Sequence, residues 1–147
     1  FYLPGTCSLA PHIVAREAGL PFELVKVDRA SKRTDEGTDY LAVNPKGYVP
    51  ALELDGGGVL TEGQVISQYL ADRAPSAGLI PAAGSLARYR TQEWLGYIGT
   101  EIHKGYSPLF KQPARRQLRA GVAADRLNSC SEQHRVGGLL PAKCGPT

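Results

Sequence analysis

The sequence lacks the features of membrane, disulfide-rich and nucleic-acid-binding proteins. Three cysteines in 147 residues are too few for a disulfide framework, and no CxxC or Cys/His spacing suits a metal site. No apolar run is long enough to cross a bilayer, and no charged segment followed by an apolar stretch opens the chain. The net charge is only +3, and the cluster Arg115, Arg116 and Arg119 lacks interleaved aromatic residues. We therefore expect a cytoplasmic protein that binds neither nucleic acid nor membranes and holds no metal.

Methionine is also absent. Phe1 is therefore not a translation start, and we expect the chain to be a fragment or a processed form. What is present is the composition of a globular protein, with 42% hydrophobic and 21% charged residues. The length suits one domain, or a small domain with part of a second.

The first half of the chain alternates strand-like and helix-like patterns. In chain order we predict strand 1–3, helix 8–19 between a Ser8 cap and Gly19, strand 23–28, short helix 38–42, a hairpin from 51 to 60 and helix 63–74. The first three elements form a β-α-β unit, whose strands should be parallel. This order of elements is that of an α/β thioredoxin-like domain, which we place at residues 1–75.

The second half carries a weaker pattern. Residues 74–84, rich in Pro, Ala and Gly, resemble a linker, and an apolar stripe predicts one long helix from Ser85 to about Ser107. A further helix is predicted over 114–128, but residues 129–147 show no period. We expect an incomplete all-α second domain, 85–147, with a poorly packed tail, an exposed stripe and a truncated or aberrant end.

Residues 44–63 combine three signals at close spacing. Pro50 precedes a predicted strand, and we predict a cis bond between Val49 and Pro50. Such a bond would leave the backbone of Val49 unpaired and open to an extended peptide. A glycine-rich turn follows, and then a helix start near Gly63, whose free N–H groups suit a carboxylate. The stretch is either a site for a small peptide that bears a carboxylate or a plain hairpin followed by a helix.

Five charged or nucleophilic side chains are candidates, and each also has a plain structural interpretation. Cys7 precedes a helix, where free N–H groups favour a thiolate, or it is a small buried side chain. Glu62 is a ligand group or only a favourable helix-dipole charge. Lys32 lies in a polar loop and is by default a solvated charge. His103 and Lys104, near the end of the long helix, face the first domain or are surface groups.

Taken together, these residues resemble the bacterial beta-class glutathione transferases. The matching motifs are FYLPGTCSLAPH, NPKGYVPAL, LTEG with VISQYLAD, and RYRTQEWLGYIGTEIHKGYSPLF, which extend to about Phe110. The resemblance implies a thioredoxin-like first domain, an all-helical second domain and a homodimer. It also implies a cytoplasmic enzyme without a permanently bound cofactor, which uses glutathione as co-substrate and conjugates its thiol to a small electrophile.

The resemblance assigns a role to each candidate residue. By position, Cys7 contacts or bonds the glutathione sulfur, the backbone of Val49 pairs with the cysteinyl part, and Glu62 with Gly63 binds the γ-glutamyl part. Lys32 takes the glycyl carboxylate, and His103 with Lys104 reaches toward the sulfur, with Cys7 and His103 as catalytic residues. Two alternatives remain: thiol–disulfide exchange through Cys7, and a non-catalytic glutathione- or hydrophobic-ligand-binding module.

Overall fold

The computed structural model describes residues 1–107. The chain divides into two compact units, Phe1–Gly99 and a second that begins at Thr100. The helices and strands are α1 (Leu9–Glu17), α2 (Tyr40–Val43), β1 (Ala51–Glu53), β2 (Val59–Thr61), α3 (Gly63–Arg73) and α4 (Leu86–Tyr97). A 3₁₀ turn, Pro75–Ala77, lies in the predicted linker, and a π-helical segment, Ile98–His103, follows α4. No helix within residues 1–107 is long and apolar enough to cross a membrane.

A hydrogen-bonded layer of extended segments forms the centre of the first unit. Strands β1 and β2 pair antiparallel, as the hairpin pattern predicts. Phe1 and Ala51 exchange two hydrogen bonds, of 2.7 and 3.4 Å, which is the pattern of an antiparallel pair. On its other side the first segment makes a parallel bridge between Tyr2 and Lys26. The parallel β-α-β unit predicted from the sequence is therefore confirmed.

The predicted strands 1–3 and 23–28 are wrong as full strands. Tyr2 makes the two backbone hydrogen bonds between these segments. Its N–H donates to the Val25 carbonyl, and its carbonyl accepts from the Val27 N–H. Val27 then bridges Thr34 in the antiparallel sense, because the chain turns back directly after Asp28. Pairing is limited to isolated bridges, so neither segment becomes a ladder.

Two apolar clusters hold the layer. Ala15 of α1 packs with Ile66 and Leu70 of α3, at 4, 2 and 8% exposure. Val27, Tyr40 and Ala51 form the second cluster, in which Tyr40 is fully buried. The second cluster lies beside residues 44–50, because the Tyr40 hydroxyl donates to the Tyr48 carbonyl at 2.6 Å.

The start of α1 differs from the prediction. The Ser8 side chain makes no capping hydrogen bond; its hydroxyl is instead buried and bonded to the N–H and carbonyl of Leu3, at 3.1 and 3.0 Å. Ser8 therefore ties the helix start to the first extended segment. At the other end, Gly19 has a φ of 65° and its N–H donates to the Arg16 carbonyl, so the predicted glycine stop is confirmed.

The predicted long helix is interrupted. Ser85 caps α4 by accepting a hydrogen bond from the Arg88 N–H at 3.2 Å, as expected, but α-helical bonding ends at Tyr97. The π-helical segment replaces it up to His103. The predictions for residues 114–128 and for the tail 129–147 lie outside the described residues.

Candidate functional site

The predicted cis bond between Val49 and Pro50 is present. Pro50 is buried and Val49 is half-buried. Within residues 1–107 the Val49 N–H makes no hydrogen bond, and its carbonyl accepts only from the Cys7 sulfur, at 3.4 Å. Val49 therefore offers a backbone donor, and a weakly occupied acceptor, to an extended peptide.

Cys7 lies two residues before α1 and is an exposed free thiol. Its carbonyl accepts from the Ala10 N–H at 3.3 Å, and its sulfur donates to Val49. Partial desolvation raises the pKa of the Cys7 thiol, a hydrogen bond from its own backbone lowers it less, and the Glu62 carboxylate raises it further. The net pKa is raised, so the thiolate-favouring environment expected from the sequence is wrong, and the neutral thiol is the favoured form.

The first turn of α3 packs directly against Cys7 and Pro50. A Cβ on Gly63 would lie 3.5 Å from Pro50 Cγ and 3.9 Å from the Cys7 carbonyl oxygen. Within the part of the chain that the structure describes, the N–H groups of Gly63 and Gln64 make no hydrogen bond. The start of α3 thus presents two free donors beside Cys7 and Pro50, which suits a carboxylate.

Glu62 joins β2 to α3 in a conformation that L-residues rarely adopt. Its φ of 69° and ψ of 114° carry a cost of about 1–3 kcal/mol for a non-glycine residue. The carbonyl accepts from the N–H groups of Val65 and Ile66, both at 3.0 Å, so the backbone is held by the helix that it starts. Its carboxylate is 64% exposed and lies 3.7 Å from the Lys46 ammonium.

Lys46 also lies beside the site, although the sequence did not single it out. Its ammonium also donates to the Thr61 hydroxyl at 3.4 Å. No local pattern could have found it, because 16 positions separate it from Glu62 and only the hairpin brings the two together.

Lys32 is brought to the 44–50 segment from the loop after the second extended segment. Its side chain is half-buried rather than fully solvated, and its ammonium donates to the Gly47 carbonyl at 2.9 Å. Gly47 has a φ of 64°, and a Cβ there would meet Leu41 at 3.1 Å and Lys32 at 3.6 Å. Glycine is therefore required where the 44–50 segment passes Leu41 and Lys32.

Hydrogen bonds from two buried residues shape the 44–50 segment. Asn44 donates through its amide to the Tyr48 carbonyl at 2.8 Å and accepts from the Lys46 N–H at 3.2 Å. The Tyr40 hydroxyl donates to the same Tyr48 carbonyl. The sequence marks Asn44 only as the first residue of the 44–63 stretch, so its internal bonding, which fixes the approach to Val49, was missed.

His103 and Lys104 belong to the second unit. His103 ends the π-helical segment, Lys104 follows it, and both side chains are exposed. Their roles stay predictions.

Comparison with known proteins agrees with this geometry. Residues 5–73 match the family described as glutathione S-transferase, N-terminal domain. The glutathione S-transferase GstA of Escherichia coli O157:H7 is 54% identical over 124 residues, which are 84% of this chain and 62% of the relative. A Xanthomonas campestris glutathione S-transferase is 40% identical over 76% of this chain and 52% of its own length. The chain thus spans about half to three fifths of these two relatives.

Solved structures give the same result. A glutathione transferase from Methylococcus capsulatus is 54% identical with a TM-score of 0.75, over 93% of this chain and 69% of that one. A sphingomonad glutathione S-transferase complexed with glutathione is 43% identical with a TM-score of 0.75, over 98% and 73%. A beta-class enzyme of Sphingomonas chungbukensis is 43% identical with a TM-score of 0.76, over 94% and 70%.

The fold and site define a thioredoxin-like domain in which a cis-proline follows a Val49 N–H that is unpaired within residues 1–107. The chain belongs to the glutathione S-transferase family, and bacterial beta-class members are among its structural neighbours.

Proposed function

We propose that the protein is a glutathione transferase, which binds reduced glutathione and conjugates its thiol to small electrophiles. The observation that carries the proposal is the convergence of three features: the exposed Cys7, whose sulfur lies 3.4 Å from the Val49 carbonyl, the unpaired Val49 N–H, and the free first turn of α3, which packs against Cys7 and Pro50. The family membership and the relative complexed with glutathione support it.

The exposed groups match the chemistry of glutathione from one end to the other. Val49 would pair with the cysteinyl backbone, and the Gly63 N–H would bind the γ-glutamyl carboxylate. The Glu62 carboxylate, already beside one ammonium at 3.7 Å, suits the γ-glutamyl ammonium. Lys32 would take the glycyl carboxylate, exchanging its bond to the neutral Gly47 carbonyl for an ion pair in which donor and acceptor are both charged.

The chemistry at Cys7 follows from its protonation state. A neutral thiol donates a hydrogen bond, so Cys7 would turn from the Val49 carbonyl to the glutathione sulfur and stabilise it as a thiolate. That thiolate then attacks the electrophilic carbon, a carbon–sulfur bond forms, and the leaving group departs with its electron pair. Binding also supplies proximity between the reactants. We propose that His103 and Lys104 act near the sulfur from the helical domain.

A second activity at the same residue is thiol–disulfide exchange. Cys7 is exposed and carries no disulfide, so its thiolate could attack oxidised glutathione, form a mixed disulfide and release one glutathione thiolate. The raised pKa of Cys7 leaves less of its thiolate at neutral pH, which slows this attack. The relatives, which are transferases, do not favour a non-catalytic module.

A conjugation assay with 1-chloro-2,4-dinitrobenzene, run beside retention on immobilised glutathione, tests the proposal. We expect retention and glutathione-dependent turnover. Retention without turnover would support the binding module, and loss of both would overturn the proposal. An assay with oxidised glutathione and a dithiol reporter separates exchange, which should disappear in Cys7→Ser.

The architecture of the active form is also a proposal. We infer a glutathione-binding domain at 1–75, a helical domain from 85 onward and a homodimer, from the family membership. The cytoplasmic location expected from the sequence stays a prediction.

A further inference from the structure

The turn that precedes Lys32 is built around one carboxylate. Asp28 Oδ1 accepts three hydrogen bonds: from the Ala30 N–H at 3.1 Å, from the Ser31 N–H at 2.7 Å and from the Ser31 hydroxyl at 2.8 Å. The Asp28 backbone closes the same turn, since its carbonyl accepts from the Lys32 N–H at 3.1 Å and its N–H donates to the Arg33 carbonyl at 2.8 Å. Five bonds therefore converge on one exposed residue.

The turn delivers Lys32 in an unusual backbone conformation. Lys32 has a φ of 56°, and only one other non-glycine residue among residues 1–107, Glu62, has a positive φ. L-residues adopt this region at a cost, so the surrounding bonds must hold it. The Lys32 carbonyl accepts from the Tyr40 N–H at 2.8 Å, and its ammonium reaches the Gly47 carbonyl. The direction of the Lys32 side chain thus depends on the turn.

We propose that Asp28 is a positioning residue, which holds Lys32 in the conformation that binds the glycyl carboxylate of glutathione. This inference rests on the proposed function. Asp28 does not touch the ligand in this role; it acts through Lys32.

The charge state of Asp28 suits the role. Hydrogen bonds from the Ser31 N–H and then from the Ser31 hydroxyl lower the pKa of the Asp28 carboxyl, against a small opposing effect of desolvation. The carboxylate therefore remains ionised around neutral pH, and charge-assisted bonds are stronger than neutral ones.

The test compares two ligands that differ at one end. Glutathione and its glycyl monoethyl ester share the γ-glutamyl and cysteinyl parts, but the ester lacks the glycyl charge. Dissociation constants for both are measured by titration calorimetry on the full chain, for wild type, Asp28→Ala and Asp28→Asn. Asp55→Ala is the matched control, because Asp55 is exposed in the hairpin turn.

We expect Asp28→Ala to weaken glutathione about tenfold, the size of one charge-assisted hydrogen bond, and to change the ester less than about twofold. Asp28→Asn should stay within about threefold of wild type, because its amide oxygen can accept the same three bonds. Asp55→Ala should match wild type. Ser31→Ala, which removes one bond, should lower the preference for glutathione about threefold and is the second variant if Asp28→Ala does not fold.

Each of the other outcomes contradicts a different step: the role of Asp28, the assignment of Lys32 or the proposed function. Equal weakening of both ligands by Asp28→Ala would mean a merely structural role, and an unchanged preference in Asp28→Ala or Ser31→Ala would mean no role. A wild type that binds the ester as tightly as glutathione would overturn the assignment of Lys32, and with it that of Asp28. A wild type that binds neither ligand would overturn the proposed function itself.

Discussion

Helices α3 and α4 are of similar length but are held in different ways. Helix α3 buries Ile66, Leu70 and Ala71 against the rest of the first unit. In α4 the buried residue is Arg88, while Leu86 is 72% and Trp94 64% exposed. The exposed apolar stripe predicted for this helix is therefore confirmed in the described residues.

The polar contacts of α4 replace the missing apolar ones. The Arg88 guanidinium donates to both carboxylate oxygens of Asp72 and to the Pro81 carbonyl. One turn further on, the Gln92 amide donates to Gln68 of α3 at 2.9 Å. Apolar packing thus fixes the helix that starts at the proposed glutathione site, and directional polar bonds attach the helix that follows it.

Truncation of a core side chain on α3 should have the largest effect. Ile66→Ala removes a 2% exposed side chain and should lower the free energy of unfolding by about 3 kcal/mol. Leu86→Ala removes a similar volume from α4 at 72% exposure and should cost less than about 1 kcal/mol. Urea titration followed by circular dichroism measures both. Equal losses would show that α4 packs as α3 does.

The ion pair between the two helices should come next. Asp72→Ala leaves the Arg88 guanidinium buried without its carboxylate and should lower Tm by about 10 °C. The matched control is Glu93→Ala, which breaks an exposed pair with Arg90 on the same helix and should shift Tm by less than about 2 °C. A shift for Asp72→Ala as small as the control would mean that polar bonds do not hold α4.

The smallest effect concerns Cys7. Since its pKa is raised, iodoacetamide should alkylate it more slowly than free cysteine at neutral pH, with a rate that rises into the alkaline range. Because Glu62 contributes to the raised pKa, Glu62→Gln should speed the reaction about twofold at pH 7.5, and Glu36→Gln should not. Peptide mass mapping separates Cys7 from Cys130 and Cys144. Labelling of Cys7 faster than free cysteine would contradict the raised pKa.

The raised pKa of Cys7 also makes the stability of the fold depend on pH. The pKa of the folded thiol lies above the unfolded value, so the neutral form is favoured in the folded state. The stabilisation from this form is complete below the unfolded pKa and is lost as pH rises through the folded pKa.

Local patterns in the sequence predicted the elements whose causes are local. Gly19, the glycine-rich turn after Asp55 and the periodicity of α3 depend on neighbouring residues, and their elements lie where expected. The cis Val49–Pro50 bond was also predicted, from proline at a strand start.

Features set by distant contacts were not predictable. Lys46 pairs with Glu62 only because the hairpin brings the two residues together. The Ser8 hydroxyl hydrogen-bonds to Leu3 rather than capping its own helix. The direction of the Cys7 pKa shift depends on desolvation and on Glu62. Neither effect can be predicted from the position of Cys7 at a helix start. The resemblance to a family supplied the residue roles that local physics left open.

We propose that Cys7, Val49 and the start of α3 form one glutathione site. An amide-resolved NMR titration of the full chain with glutathione can show this residue by residue. We expect the Val49 and Gly63 amide signals to shift together with one dissociation constant, because both N–H groups gain a hydrogen-bond partner, while the amide signal of Thr91 on α4 stays unchanged. Saturable shifts confined to α4, with Val49 and Gly63 unmoved, would contradict it.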